Sequence, residues 1–333
     1  MKEWKNDVSV YLNFFNRPET FVRVFNAVKE ARPSRLFLSC DGPRENNPKD
    51  IENVQKCKAI AEEIDWDCKV YKNYSDHNLG CGMRMYSGIS WAFQTVDRLI
   101  ILEDDCIPNQ DFFPFCQELL EKYKDDNRIF MINAMNHLGK YLESSSSYFF
   151  GQGCCWGWAT WKRAWDQVDF LLDFLEDEYS MKCVELKYPY YRDAILTGTK
   201  KKRILQRTGR LSSWTYQAGM GAALNSQLAI VPSVNLITNI GLTEDSTHSV
   251  NSIKKLDRKT QRYFNQAAYP LSFPLQHPKF VVEDLMYYYK VRKKFNPTII
   301  DKAERCFRLL IYSNRSDMIV IGKKALRKIR HLE

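Results

Sequence analysis

The sequence predicts an α/β fold in which helices cover both faces of a mostly parallel sheet. Through residues 8–105, short apolar runs alternate with amphipathic helical patterns, the order typical of repeated β-α-β units. The links between these segments are short, as expected for neighbouring elements of one sheet. The run at 99–102 is apolar at every position, which is typical of a strand buried on both faces.

The N-terminal half contains four predicted strands and three predicted helices. Residues 8–15 alternate well enough for a first strand, and Pro18 suits the first position of the following helix. A second strand over 35–40 is closed by the turn signal Asp41-Gly42-Pro43. The remaining predicted elements are a helix over 51–64, a strand over 68–71, a helix over 85–96 and the apolar strand over 99–102.

The second half mixes both element types. We expect helices over 112–123 and 169–191 and from Ser213, strands over 129–133 and 228–232, and loops at 144–147 and 200–203. Trp158, Trp161 and Trp165 share one face if their segment is helical, which predicts core packing. Trp156 lies between Gly153 and Gly157 and is better placed to stack on a sugar.

Three consecutive acids, Glu103, Asp104 and Asp105, follow the fourth predicted strand. They would repel one another and lose hydration unless a positive group lay beside them. In open α/β sheets, ligands bind at this end of the strands. A divalent cation, which prefers oxygen ligands, is the simplest neutralising partner. The alternative is an acidic loop in water.

Composition is ordinary for a globular protein, with 44% hydrophobic and 27% charged residues among 333. No stretch approaches 18 apolar residues and the N-terminus has no apolar signal core, so we expect a cytoplasmic protein. The ten cysteines are expected to be reduced. Because no CxxC pair occurs, a zinc site is not expected.

Positive charge is concentrated near the C-terminus. Residues 279–333 contain 14 Lys and Arg against 6 Asp and Glu, while the whole chain has a net charge of +9. From Met318 onward the pattern predicts a basic amphipathic helix, which would either lie on an anionic inner membrane face or dock on the protein. We expect a domain over 1–255 and a basic helical extension over 256–333. No nucleic-acid-binding motif occurs, so nucleic acid is not an expected partner.

Taken in order, the motifs of residues 8–250 resemble those of GT-A nucleotide-sugar glycosyltransferases. The acidic strand end resembles the metal motif of the inverting N-acetylglucosaminyltransferases, and the later motifs are similar to bacterial polysaccharide-type glycosyltransferases. The motifs are Asn16-Arg17-Pro18, Cys40-Asp41-Gly42, Asn78-Leu79-Gly80, Glu103-Asp104-Asp105 with Pro108 and Asp111-Phe112-Phe113, the 156–161 segment, Asn239-Ile240-Gly241 and Thr247-His248.

This resemblance implies metal-dependent transfer of a sugar, with inversion, from a nucleotide diphosphate to a glycan or lipid-linked acceptor. A UDP-sugar is the favoured donor, and the metal is Mn²⁺ or Mg²⁺. The implied roles are metal binding by Asp105 and His248, ribose or metal-shell contact by Asp104, donor-sugar contact by Glu103, base or ribose contact by Asp41, nucleotide lining by Phe15 and Arg17, and base or diphosphate contact by Arg84.

One position departs from the resemblance. Relatives usually carry an acid beside the tryptophan at 214, where this chain has Thr215, and threonine cannot act as a general base near neutral pH. Glu244 and Asp245 are the alternative bases. A carbohydrate-binding protein without turnover is a second reading. A sugar-phosphate nucleotidyltransferase is a third, although residues 16–20 lack the glycine-rich phosphate loop it needs.

Overall fold

The computed structural model describes residues 7–143, 145–187, 191–211, 214–242, 253–262, 264–296 and 298–312. Helices and strands alternate regularly in the first third of the chain and less regularly afterwards. In chain order the described elements are β1 (Val10–Phe14), α1 (Pro18–Ala31), β2 (Arg35–Cys40), α2 (Pro48–Ala61), β3 (Lys69–Tyr74), α3 (Cys81–Ala92), β4 (Arg98–Glu103), β5 (Cys106–Pro108), α4 (Phe112–Lys122), β6 (Ile129–Asn133), β7 (Tyr148–Gly151), β8 (Trp158–Trp161), α5 (Lys162–Trp165), α6 (Glu178–Lys187), α7 (Tyr191–Thr208), α8 (Thr215–Leu224), β9 (Leu228–Pro232), β10 (Ile237–Asn239), α9 (Arg258–Gln261), α10 (Leu285–Phe295) and α11 (Ile299–Tyr312).

Eight strands form the central sheet in the order β3-β2-β1-β4-β8-β6-β9-β7. Strands β3, β2, β1 and β4 are parallel, as are β6 and β9. Strand β8 is antiparallel to both neighbours, β4 and β6, and β7 is antiparallel to β9 at the edge. The predicted class, an α/β fold with a mostly parallel sheet, is therefore confirmed.

The strand order changes direction between β1 and β4. After β1 the chain moves outward to β2 and β3 and then returns to the other side of β1 as β4. The segments that follow β1 and β4 lie together beyond the carboxyl ends of these strands, which is the usual ligand position in open α/β sheets. A small antiparallel pair, β5 with β10, lies beyond β4 and matches Cys106 with Asn239.

Helices cover both faces of the sheet, and alternate residues of each strand pack against them. Val10, Leu12 and Phe14 of β1 pack with buried residues of α1, α2 and α4. Tyr11, on the opposite face, packs with buried residues of α3, α5 and α8. Full burial of such a side chain contributes about 1.5–3 kcal/mol, which explains why central strands apolar at every position form the core.

The tryptophan-rich segment was predicted to be helical, and this is wrong for its first half. Residues 158–161 form β8, whose backbone pairs with β4 and β6. Trp158 and Trp161 therefore face opposite sides of the sheet. Trp158 stacks on Trp214 at 5.2 Å between ring centroids, and Trp161 donates its Nε1–H to Leu120 O at 2.9 Å. Pairing on both edges outweighs the local helical spacing.

The basic run at 200–203, predicted as a loop, lies within α7 instead. Lys202 there pairs with Asp173 at 3.0 Å and with Glu176 at 2.7 Å. Lysine and arginine are good helix formers, so the polarity of this run did not require a loop.

Residues 269–287 lie against the edge of the sheet and the loop before β10. Tyr269 donates its backbone N–H to Asn235 O at 2.8 Å, and Glu283 bridges to Phe150 of β7. None of the described helices combines the length and apolar composition of a membrane span. The predicted basic amphipathic helix from Met318 lies outside the described residues, and the expected domain boundary at residue 255 stays a prediction.

Candidate functional site

Arg17 joins two acids where the strand order changes direction. Because β1 and β4 pair in parallel, with Asn13 beside Glu103, the residues that follow each strand meet at one edge of the sheet. The Arg17 guanidinium contacts Asp104 directly and lies 3.1 Å from Asp105 Oδ2. It also donates to Gly241 O at 3.4 Å. One cation thus neutralises part of a three-carboxylate cluster.

Asp104 is the most enclosed of the three acids and is only 4% exposed. The backbone N–H of Phe15 donates to its Oδ2 at 3.2 Å. Burial raises the pKa of Asp104, although Arg17 opposes that change. Burial, followed by the charges of Asp105 and Asp104, raises the pKa of Glu103 to about 8. The cluster is therefore short of positive charge even with Arg17 in place.

Asp105 is positioned by the chain that follows β10. Asn239 donates its Nδ2–H to Asp105 Oδ1 at 3.5 Å, and Ile240 donates its N–H to the Asp105 carbonyl at 2.8 Å. A Cβ atom at Gly241 would lie 2.0 Å from Asp105 Oδ2, so a side chain there would displace the carboxylate. The Asn239-Ile240-Gly241 motif thus acts on the acidic cluster, 134 residues away in the chain.

These donors fit a hard divalent cation. Carboxylate oxygens are ligands of Mg²⁺ and Mn²⁺, and Mg²⁺ usually binds through one or two carboxylates, with water and phosphate oxygens completing its shell. In the part of the chain that the structure describes, no group of three or more His, Cys, Asp and Glu side chains is arranged to hold a metal alone. The pair Asp104 and Asp105 suits a metal shared with a phosphate ligand.

Asp41 and Arg84 shape the neighbouring part of this edge from within the protein. Asp41 accepts the N–H groups of Leu79 and Gly80, each at 2.9 Å, and so attaches the end of β2 to the start of α3. Arg84 is buried and donates to Ser39 Oγ at 2.8 Å and to Asn73 Oδ1 at 2.7 Å. In the structure both charged groups bond to other residues of the protein, and they thereby hold the ends of β2 and β3 in place.

Sequence reasoning missed the residues that hold the Arg17 loop. Asn16 donates its Nδ2–H to Asp50 Oδ1 at 2.7 Å and accepts at its carbonyl from Asn53 Nδ2 at 3.1 Å. Arg44 donates its Nε–H to the other Asp50 oxygen at 2.6 Å. Asp50 is 1% exposed, and its position directly before the helix predicted over 51–64 was the available signal.

An apolar cavity of about 400 Å³ lies beside the segment that leads into β8. It lies between residues 151–156, helix α8 and strands β6 and β9. Trp156, Trp214 and Thr215 line it. Burial, followed by the charges of Cys154 and Glu103, raises the pKa of the Cys155 thiol, another lining residue. Because β8 pairs antiparallel with β4, with Trp158 beside Ile101, the 151–156 segment enters β8 at the carboxyl end of β4.

The other predicted site residues, Glu244, Asp245 and His248, lie outside the described residues. The described segment that precedes them ends at Leu242, next to Gly241, which contacts the acidic cluster. Their predicted roles stay predictions.

Comparison with known proteins gives a distant likeness in fold outline. No protein-family model and no curated protein matches this sequence. A UDP-glucose pyrophosphorylase in complex with UDP-glucose aligns over 69% of this chain and 91% of its own, with 7% identity and a TM-score of 0.32. A cytidylyltransferase from Leptospira borgpetersenii aligns over 63% and 79%, with 10% identity and a TM-score of 0.29. The A197 protein from STIV aligns over 49% and 69%, with 10% identity and a TM-score of 0.24. At these values the likenesses establish neither a family nor an activity, and the chain is placed by its own topology among α/β proteins with a mostly parallel sheet.

Proposed function

We propose that this protein is a metal-dependent glycosyltransferase that takes its sugar from a nucleotide diphosphate, with a UDP-sugar favoured. One observation carries the proposal: Arg17, Asp104 and Asp105 meet at the carboxyl ends of β1 and β4, where the strand order changes direction. An arginine beside two carboxylates offers one group for phosphate oxygens and two for a hard cation.

The chemistry requires this combination. A departing nucleotide diphosphate gains negative charge as the glycosidic bond breaks, and bound Mn²⁺ or Mg²⁺ supplies Lewis-acid stabilisation of that charge. Asp104 and Asp105 would hold the metal, and Arg17 would offer its guanidinium to the diphosphate. Phe15 and the Asn16 carbonyl network would fix the loop that lines the nucleotide.

The acceptor, a glycan or lipid-linked sugar, would enter from the side of the apolar cavity. Trp156 and Trp214 offer aromatic surfaces there. Thr215, which stands at the start of α8, cannot take the acceptor proton near neutral pH. We therefore assign the base role to Glu244 or Asp245, in the segment that continues from Gly241.

The first test is calorimetric titration of UDP, GDP and CDP into the protein with Mn²⁺. We expect UDP binding that is lost in Asp105→Ala and kept in Asp125→Ala, a matched variant at an exposed acid of a distant turn. Absence of binding to all three nucleotides by folded protein would refute the proposal.

The second test separates the three candidate activities. Release of UDP from a panel of UDP-sugars, abolished by Asp105→Ala, supports glycosyl transfer. Binding without turnover on any donor supports the carbohydrate-binding alternative. Formation of UTP from a UDP-sugar and pyrophosphate supports a nucleotidyltransferase instead.

A further inference from the structure

Helix α11 presents apolar side chains to solvent. Ile300, Phe307 and Ile311 are 79%, 63% and 56% exposed, and Ala303 between them is exposed as well. The spacing of these residues places them on one side of the helix. An amphipathic helix of a globular protein normally turns this side toward the core.

The polar side of α11 faces the protein instead. Asp301 accepts from Lys259 Nζ at 3.4 Å, and Arg308 donates to Glu304 at 2.8 Å and to the Lys254 carbonyl at 3.3 Å. These contacts attach α11 to residues 254–259 through charged groups. The outward direction of the apolar stripe is therefore set by charged contacts on the adjoining side of the helix.

Helix α10 has a comparable outer surface. Tyr287 is buried against Tyr141 and Phe149, whereas Met286 and Tyr289 are exposed. Exposed cationic residues follow on the same helix. They are Lys290, Arg292, Lys293 and Lys294.

The net charge of the segments around this surface indicates which partner would bind it. Residues 279–312 contain eight Lys and Arg against four Asp and Glu, and residues 313–333 contain six against two. Because both segments are positive, the second is a poor cover for the first. An anionic membrane can bury the apolar stripe in its interface and place negatively charged headgroups beside the surrounding lysines and arginines.

We propose that the outer surface of α10 and α11 docks on an anionic membrane, with Ile300, Phe307 and Ile311 entering the lipid interface. This goes beyond the proposed activity, since it concerns a surface on other elements. It would hold the protein beside lipid-linked acceptors, but it can be tested without any donor or acceptor.

The test is co-sedimentation of the full chain with phosphatidylcholine vesicles, with and without an equal share of phosphatidylglycerol. We expect binding to the anionic vesicles, weakened by salt, and little binding to the neutral ones. Ile300→Ser/Phe307→Ser should lower the partition coefficient by about tenfold, because it removes exposed apolar groups that only the lipid would bury. The matched control, Ile51→Ser/Leu186→Ser, changes exposed apolar residues elsewhere and should bind as the unmodified protein does.

Three results would overturn the proposal. The first is equal binding of the Ile300→Ser/Phe307→Ser variant and the unmodified protein, or no binding by either. The second is a shift from dimer to monomer in this variant on ultracentrifugation, since the stripe would then be covered by a second copy. The third is a large loss of thermal stability in the variant, since the stripe would then be covered by residues 313–333. UDP titration of the same samples reports on the proposed activity independently.

Discussion

Replacing Arg17 with Met should reveal how much the shared cation stabilises the acidic edge. The side chains of Arg17, Asp104 and Asp105 are only 16%, 5% and 18% exposed. At 3.1 Å and an effective dielectric constant of about 20, the Arg17–Asp105 attraction is about 5 kcal/mol before desolvation is counted. Because desolvation offsets part of this, and removal leaves two enclosed carboxylates, we expect Arg17→Met to lower the free energy of unfolding by about 3 kcal/mol.

Urea unfolding at pH 8 in the presence of a chelator measures this loss. A double-mutant cycle with Asp104→Asn should give a coupling energy of about 2 kcal/mol. Arg128→Met is the matched control, because Arg128 pairs with Asp126 at 2.7 Å but is itself 62% exposed, and it should cost about 0.5 kcal/mol. If Arg17→Met were as mild as this control, the argument that the cluster depends on Arg17 would be wrong.

The same variant should change the response to metal. Without Arg17 the two carboxylates have no cation from the described protein, so Mn²⁺ should bind at least about tenfold more tightly in the absence of nucleotide. Calorimetry with the metal alone measures this. Equal Mn²⁺ affinity in both proteins would show that Arg17 and the metal do not share these ligands.

Three further predictions concern other parts of the site and the core. Gly241→Ala should weaken Mn²⁺-dependent UDP binding by about tenfold with an unchanged circular dichroism spectrum, because its Cβ would lie 2.0 Å from Asp105 Oδ2; unchanged affinity would contradict this. Burial, followed by the charge of Lys294, lowers the pKa of His137 to about 4, so the unfolded chain takes up this proton first as the pH falls. Stability should therefore fall by about 2–3 kcal/mol between pH 6.5 and 4, and the fall should be smaller in His137→Gln, as followed by urea unfolding. At pH 8 a thiol reagent should label exposed Cys183 and Cys306 well before Cys116, whose pKa burial raises far above its usual value; mass spectrometry of the labelled peptides would show the order.

The parallel half of the sheet was predictable because its signals are local. Strand 35–40 was predicted with the bounds it has, since a continuous apolar run ends at a turn signal. Pro18 begins α1 as expected, because its missing N–H has no partner to lose at that position. The three acids were placed correctly at the end of β4 because the apolar run stops there. Their contact with Arg17 follows from the parallel pairing of β1 and β4.

The features that sequence reasoning missed depend on distant partners. Strand β8 forms because β4 and β6 supply backbone hydrogen-bond partners on both of its sides. The sequence immediately around residues 158–161 contains neither partner strand, so local patterns could not predict it. The ligand contact predicted for Arg84 stays a prediction, and its bonds to Ser39 and Asn73 were missed because they depend on where β2 and β3 end. The hydrogen bonds of Asp50 to the Arg17 loop likewise connect residues 34 positions apart.

The antiparallel strand β8 separates the strands that carry the acidic edge from the strands beside the cavity. The four-stranded parallel half carries the acidic edge, while the cavity is lined by α8, by the 151–156 segment and by residues of the strands beyond β8. Among the described strands, β8 alone is hydrogen-bonded to both groups of strands. Residues on α8 and in the 151–156 segment can therefore be exchanged without altering the backbone pairs that set Asp104 and Asp105. Variant libraries aimed at a new small-molecule specificity should change residues of α8 and the 151–156 segment and leave the four-stranded parallel half unchanged.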